Sequence, residues 1–471
     1  MKKNNHIFKN PIFWAILICF LYWSYLFFTA RADIACDSIL YENMGRLLLE
    51  NRWIEYFKDG PPREPFYPLM ISIAMRLGRL FSISYYPIMT IIQLIFLFLS
   101  QIMVLHILRL LKIRDLIISL TVLYLGISPA IVNSSLSIFS EIAAYPLILA
   151  MILILYYSWL SLDGSKVHII VLAIISGILF CFTTLTKGIF EFIIPAFVML
   201  LVPLYLYTRK QKIMVGALIF LMVSSAIYYL PLNAYKMTNK IFNNHFAVTN
   251  RGDFQLFAAA VRRTEPMTTE QLLMALASIP GEGVCQSIFG KEKCSYWSVE
   301  KIDEIGSDKV QDLVSKGLRP EDASKLIVKL AIKKGLQNPG QYTLFWLMES
   351  VKMFFWESTQ IGFVAYPIVL DKIFKCTLFK NGIRLSMSVL TLIAFLYTVV
   401  FLCIKQKTIL KAGGIHQGDA AILLTLNILL ISLFIGAYSL FPTVPRFALP
   451  IAPLYLIIIA FFFQQVLFEK K

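Results

Sequence analysis

The sequence contains no Walker-type phosphate loop and no dinucleotide fingerprint, so the familiar sites for a soluble nucleotide are missing. Ionisable residues are also scarce where transport would need them. The apolar runs carry essentially no Asp, Glu, Lys, Arg or His at mid-length, whereas ion-coupled transporters keep such residues near the bilayer centre and often show inverted repeats. No repeat is detectable. No His and no second cysteine pair sits at zinc spacing near Cys285 and Cys294, which argues against a zinc centre there. No basic patch carries a nucleic-acid fold signature, so a nucleic-acid partner is not expected.

Apolar residues dominate what is present. Hydrophobic residues make up 58% of the 471, with 37 Phe and 22 Tyr, and the mean hydropathy is +0.71, far outside the soluble range. The runs are about 20 residues long, enough to cross roughly 30 Å of hydrocarbon as helices. Unbroken runs exclude a β-barrel. The expected class is an all-α polytopic membrane protein with ten spans, at residues 11–30, 85–108, 115–133, 138–160, 167–186, 188–208, 213–232, 383–404, 419–440 and 448–467. Residues 65–82 are apolar but short and carry Arg76 and Arg79, and they are placed in the outer interface rather than across the membrane.

The distribution of Lys and Arg tests that placement. With 65–82 interfacial, Lys2, Lys3 and Lys9, the cluster Arg109, Lys112 and Arg114, the cluster Arg209, Lys210 and Lys212, the cluster Lys405, Lys407 and Lys411, and Lys470 and Lys471 all fall on one side. Both termini are then cytoplasmic, and residues 31–84 and 233–382 lie outside. These inner anchors and their phospholipid contacts account for most of the net charge of +16. The N-terminal run ends in Ala-Arg-Ala before Asp33, like a secretory signal, but its length and its Trp, Tyr and Phe content suit a permanent anchor. The expected location is a bacterial inner (plasma) membrane.

The chain divides into an N-terminal membrane core (1–235), an outer cap with interfacial helices (236–382) and C-terminal membrane helices (383–471). Residues 262–335 are polar and charged, with helical stretches at 268–278 and at 320–334, the latter opening on Pro-Glu-Asp. Residues 342–356 interleave aromatics with Glu349 and Lys352 at near-helical spacing, as an interfacial helix does. Cys36, Cys285, Cys294 and Cys376 face outward, where Cys285 and Cys294 bracket a short Gly-containing loop that a local disulfide would close. Four such cysteines allow three pairings, and sequence does not choose among them.

Charge in the outer loops is where chemistry is expected. Asp33, Asp37, Tyr41, Arg63 and Glu64 crowd the first loop and run into Pro-Phe-Tyr-Pro, and Glu141, Lys187, Glu191 and Arg446 stand at the outer ends of spans. Carboxylates and cations at that depth are costly unless they meet one another or a charged substrate. A lipid-linked substrate, with its charged head at the interface and its tail in the bilayer, suits such a site.

Asp37-Ser-Ile-Leu-Tyr41 followed by Gly45-Arg46-Leu-Leu, then Arg63-Glu-Pro-Phe-Tyr-Pro68, resembles the first outer loop of family 39 glycosyltransferases of the GT-C fold. Those enzymes use polyprenyl-phosphate sugars and include protein O-mannosyltransferases and lipid A aminoarabinose transferases. Ser140-Glu141, Thr186-Lys187-Gly188 and Pro445-Arg446-Phe447-Ala-Leu-Pro450 continue the resemblance. It covers residues 11–235 and 383–467 and leaves the cap unexplained.

The resemblance implies a GT-C-like bundle and transfer of a sugar from a polyprenyl-phosphate donor to an outward-facing acceptor, with inversion. It gives Asp37 as the catalytic base, for which N-capping of the following helix is the competing role. Glu141 matches a second acid that orients the acceptor or a metal ion, against a role as a cap or interface charge. Tyr41, one helical turn after Asp37, either contacts substrate or packs. Arg446, Lys187 and Arg63 are the candidates for the donor phosphate, with snorkelling anchorage as their alternative, and Glu64 joins them as a substrate-binding candidate. Asp33 is a weaker candidate for base than Asp37. The Asp-x-Asp pair of many metal-using transferases is absent; the sequence establishes no cofactor, and a divalent metal stays open. The alternative function is a non-catalytic carrier or flippase of lipid-linked sugars.

Overall fold

The computed structural model describes residues 10–35, 37–58, 63–207, 211–249, 252–357, 363–412 and 419–468, with side chains at 200–212 and 405–419 left aside. The membrane part opens with α1 (Pro11–Thr29), strand β1 (Arg31–Ala32), α2 (Asp37–Leu49), α3 (Trp53–Lys58), α4 (Phe66–Phe81), α5 (Tyr85–Leu110) and α6 (Asp115–Ile127). It continues with α7 (Pro129–Leu136), α8 (Glu141–Leu160), α9 (Lys166–Thr186), α10 (Phe190–Tyr207) and α11 (Gln211–Asn243). The cap holds α12 (Gly252–Thr264), α13 (Thr269–Ala277), α14 (Glu282–Phe289), α15 (Lys291–Cys294), α16 (Val299–Ser315), α17 (Pro320–Gln337) and α18 (Pro339–Lys352). Strand β2 (Val364–Ala365) and α19 (Ile368–Lys375) lead into α20 (Thr377–Ala412), α21 (Asp419–Tyr438), a 3-10 turn at Pro445–Ile451 and α22 (Ala452–Phe468).

The chain is an all-α, multi-pass integral membrane protein. Among the described residues, eight helices are long and apolar enough to cross a membrane, and α6 with α7, bent by 47°, makes a ninth. The remaining expected span falls on α10. The bend has a local cause: Ser128 accepts a hydrogen bond from the Ile131 N–H and Pro129 starts the new helix, so the backbone ladder breaks between them. Two helices outrun the expected spans. α11 continues to Asn243 and α20 begins at Thr377, because the helical ladder does not stop where the apolar run does.

Packing follows the surface each helix presents. α1 leaves Phe20, Leu21 and Phe28 exposed, as a lipid-facing helix does, and its Trp23 indole donates to the Gly126 carbonyl at 2.7 Å on α6. α8 and α22 are central, with Tyr145 and Tyr455 fully buried. A Cβ on Gly177 would stand 2.7 Å from Ser224 O and Ile227 Cβ, so α9 and α11 approach this closely only because that position is glycine. α4 turns Tyr67, Ile71, Ala74 and Met75 inward and leaves Leu69, Ile73, Leu80 and Phe81 exposed, an amphipathic arrangement that packs against α2 and α5.

Two small clusters build the cap. Phe257, Ala260, Leu313, Ile327 and Ala331 pack α12, α16 and α17 together. Cys285, Cys294, Trp297, Phe345 and Met348 join α14, α15 and α18, and Cys285 and Cys294 form a disulfide. Cys376 is a free, exposed thiol, while Cys36 lies outside the described residues. The helix at 269–277 carries a full capping box between Thr268 and Gln271. The short antiparallel pairing of Arg31 with Ala365 and Ala32 with Val364 has no signature in the sequence. It ties the start of the loop after α1 to the segment after the cap.

Candidate functional site

α2 begins at Asp37, behind a tight turn in which the Ser38 hydroxyl accepts from the Ala35 N–H at 2.8 Å and donates to its carbonyl at 2.7 Å. The Asp37 carboxylate is spanned by two guanidiniums. Arg63 donates to Oδ1, and Arg446 donates to Oδ2 at 3.2 Å. Its oxygens are therefore engaged in ion pairs at the head of α2. Tyr41, one turn on, is buried, shares a 2.9 Å hydrogen bond with the Ser140 hydroxyl and sets its ring edge on Tyr67, centroids 5.1 Å apart. Burial pushes the Tyr41 phenol up to about 12, so it remains a neutral hydrogen-bonding group at physiological pH.

Glu141 opens α8 and is only 7% exposed. Its Oε1 accepts from the Lys187 ammonium at 3.1 Å, and its buried Oε2 has no hydrogen-bond partner. Lys187 follows the last residue of α9. Burial acts to depress its pKa, but the Glu141 carboxylate beside it outweighs that and holds the ammonium above its ordinary value. Glu64 accepts from the Gly188 N–H at 2.8 Å, which joins the first loop to the turn between α9 and α10. Glu191 pairs with Lys236.

Asp37, Tyr41, Arg63, Glu64, Glu141, Lys187 and Arg446 all line one cavity of about 830 Å³. Five separate stretches of chain contribute them. The exposed Asp33 is not among the lining residues; its backbone N–H donates to the Phe363 carbonyl at 2.9 Å. Apolar lining comes from Ile189, Phe192, Phe441 and Phe447, and the cap adds Asp253, Gln255, Glu300 and Asp303. Sequence reasoning missed these cap residues, because carboxylates in polar helices read as solvated faces. It also missed Phe139 and Phe363, whose rings stand 4.7 Å apart beside the Arg446 guanidinium.

A metal does not fit this donor set. Among the described residues no three of His, Cys, Asp and Glu converge, and the two carboxylates best placed for one, Asp37 and Glu141, already face cations. What the arrangement offers is four cations, Arg63, Lys187, Lys380 and Arg446, among seven carboxylates, with an apolar wall around one space. The chain matches no protein-family model and no curated protein at a significant level.

Proposed function

We propose that this chain is a GT-C-type glycosyltransferase that moves a sugar from a polyprenyl-phosphate donor to an extracytoplasmic acceptor, with inversion. The observation that carries this is the convergence of seven residues, selected from five distant stretches, on a single cavity of about 830 Å³. Arg446 and Arg63 hold the donor phosphate, and Lys187 adds positive charge at its depth. The polyprenyl tail lies along the apolar side of the cavity and in the bilayer.

The reaction balances without a cofactor. The acceptor's O–H or N–H group attacks the anomeric carbon, a new glycosidic bond forms, and the carbon–oxygen bond to phosphate breaks with its electron pair leaving on polyprenyl phosphate. The acceptor proton passes to Asp37 as general base. Donor phosphate competes with Asp37 for Arg63 and Arg446, and that exchange releases the carboxylate for the proton. Glu141, with one oxygen on Lys187 and one without a partner, orients the acceptor. The site faces outward from a bacterial inner membrane, with both termini cytoplasmic; the one-sided Lys and Arg clusters support that topology.

The test is sugar transfer by purified protein in liposomes from a panel of polyprenyl-phosphate sugars, with Asp37→Asn at matched folding as comparison. Release of polyprenyl phosphate by wild type and its loss in the variant is the expected result. Donor movement across the bilayer without product, unchanged in the variant, would overturn the proposal in favour of a carrier.

A further inference from the structure

Arg446 follows six residues, 439–444, that link α21 to the 3-10 turn and have little regular structure of their own. Side chains from the cap hold this linker. Arg263 of α12 is only 4% exposed, and its guanidinium donates to the Leu440 carbonyl at 3.2 Å and the Phe441 carbonyl at 2.9 Å. Glu349 of α18 accepts from the Thr443 N–H at 3.1 Å and from the Thr443 hydroxyl. Trp346, on the same helix, donates from its indole to the Gly436 carbonyl at 3.0 Å in the last turn of α21. Three cap side chains thus bind backbone groups on both sides of the helix end, and the last of these groups lies three residues before Arg446.

α18 is itself supported. Phe345 stacks on Trp297 with centroids 5.1 Å apart, and both belong to the cluster that contains the Cys285–Cys294 disulfide. Phe345 and Met348 of α18 therefore rest on a covalently closed cluster, while Trp346 and Glu349, next to them on the same helix, hold the linker. A buried arginine bound to two carbonyls is a costly contact to keep if it does nothing but join two parts, because its loss strands both carbonyls and its presence removes a charge from water.

We infer that the cap is a clamp on the phosphate-binding loop, with Arg263 and Glu349 as positioning residues that set the Arg446 guanidinium against the cavity. Neither residue lines the cavity; each acts through the backbone of 439–444. The cap thereby becomes part of the donor site as well as a wall near the acceptor. This extends the transferase proposal and rests on it for the identity of the phosphate ligand.

Two measurements on the full-length protein in nanodiscs test the clamp. The first is hydrogen exchange over residues 439–451, which needs no ligand. Arg263→Gln is expected to speed exchange there with α8 and α22 unchanged, Arg263→Lys to restore part of the protection, and Cys285→Ser with Cys294→Ser to loosen the same stretch while Arg263 stays in place. The second is equilibrium binding of polyprenyl phosphate. Arg263→Gln and Arg446→Ala are each expected to weaken it about tenfold, and the double variant to be no weaker than Arg446→Ala alone. Unchanged exchange in Arg263→Gln overturns the clamp, as do additive losses in the double variant. If wild type fails to bind polyprenyl phosphate, the donor assignment falls, and exchange alone still decides whether the cap holds the loop.

Discussion

Asp37 and Arg446, 409 residues apart in the chain, meet at 3.2 Å across the cavity, and Arg63 takes the other Asp37 oxygen. One carboxylate between two guanidiniums leaves a net positive charge and a set of donors matched to a phosphate. On the proposed mechanism, the carboxylate that serves as base also masks the donor-binding arginines until the phosphate arrives.

That double role separates binding from turnover. On that proposal Asp37→Asn removes the general base and is expected to lower transfer by roughly 10²–10⁴-fold. It also frees two guanidiniums, so polyprenyl-phosphate binding is expected to hold or tighten. Transfer rates and equilibrium binding on one preparation check this. Loss of binding along with turnover would mean that Asp37 builds the site instead of acting in it.

The Glu141–Lys187 pair is buried, with side chains 9% and 12% exposed. Lys187→Met leaves Glu141 without its cation and is expected to cost about 3–5 kcal/mol of stability. Adding Glu141→Gln removes the stranded charge, so the double variant should recover much of the loss while transfer stays low. Because the Lys187 pKa is raised, the stability from its charge is fully present below its ordinary value and is lost only as pH rises through the higher folded value. Wild-type thermal unfolding should therefore show no loss from this pair between about pH 7 and 9. A fall in that window that Lys187→Met abolishes would contradict the assignment.

Much of this site was legible because charge in an apolar chain is conspicuous. Asp37, Arg63, Glu141, Lys187 and Arg446 stand out at the ends of apolar runs, and the one-sided basic clusters place them together at one end of the bundle. Partner choice was not legible: nothing local to Asp37 specifies Arg446, and both anchorage and phosphate binding fit Arg446 in isolation. The cap's side of the cavity escaped for a different reason. Asp253, Glu300 and Asp303 sit in polar helices whose pattern describes a solvated face, and only the tertiary fold brings that face onto the cavity. Tertiary contacts also join Arg31 and Ala32 to the segment after the cap, a pairing of two residues per strand that no alternation could announce.

The Cys285–Cys294 disulfide closes a loop with a separation of nine residues. A loop of that size restricts the unfolded chain by about 2–3 kcal/mol. Reduction is expected to lower the unfolding temperature of the cap while the membrane helices keep their helicity, because Trp297, Phe345 and Met348 pack around the two sulfurs. Non-reducing peptide mapping should recover the two cysteines linked, and thermal scans with and without reductant should differ. Identical scans would show that the cluster stands without the bond.

Glu357 is fully buried and accepts hydrogen bonds from the Ser128 hydroxyl at 3.0 and 2.8 Å and from the Ala130 N–H at 3.2 Å. It thereby fastens the segment after α18 to the break between α6 and α7. Burial raises its pKa above the usual carboxylate range, against the opposing effect of those hydrogen bonds. The folded chain then holds this proton more tightly than the unfolded chain, so the contribution is present at low pH and disappears as pH rises through the folded pKa. Carboxylates held in ion pairs elsewhere in the chain complicate a simple acid titration. Glu357→Gln isolates the effect: it keeps an acceptor oxygen and removes the titration. On acidification from neutral pH toward the ordinary carboxylate range, wild type is expected to gain stability relative to the variant, read as a difference in unfolding temperature that grows as pH falls. A difference that stays flat would mean that Glu357 is held charged at the helix break, with the N–H of Ala130 and the Ser128 hydroxyl compensating its burial.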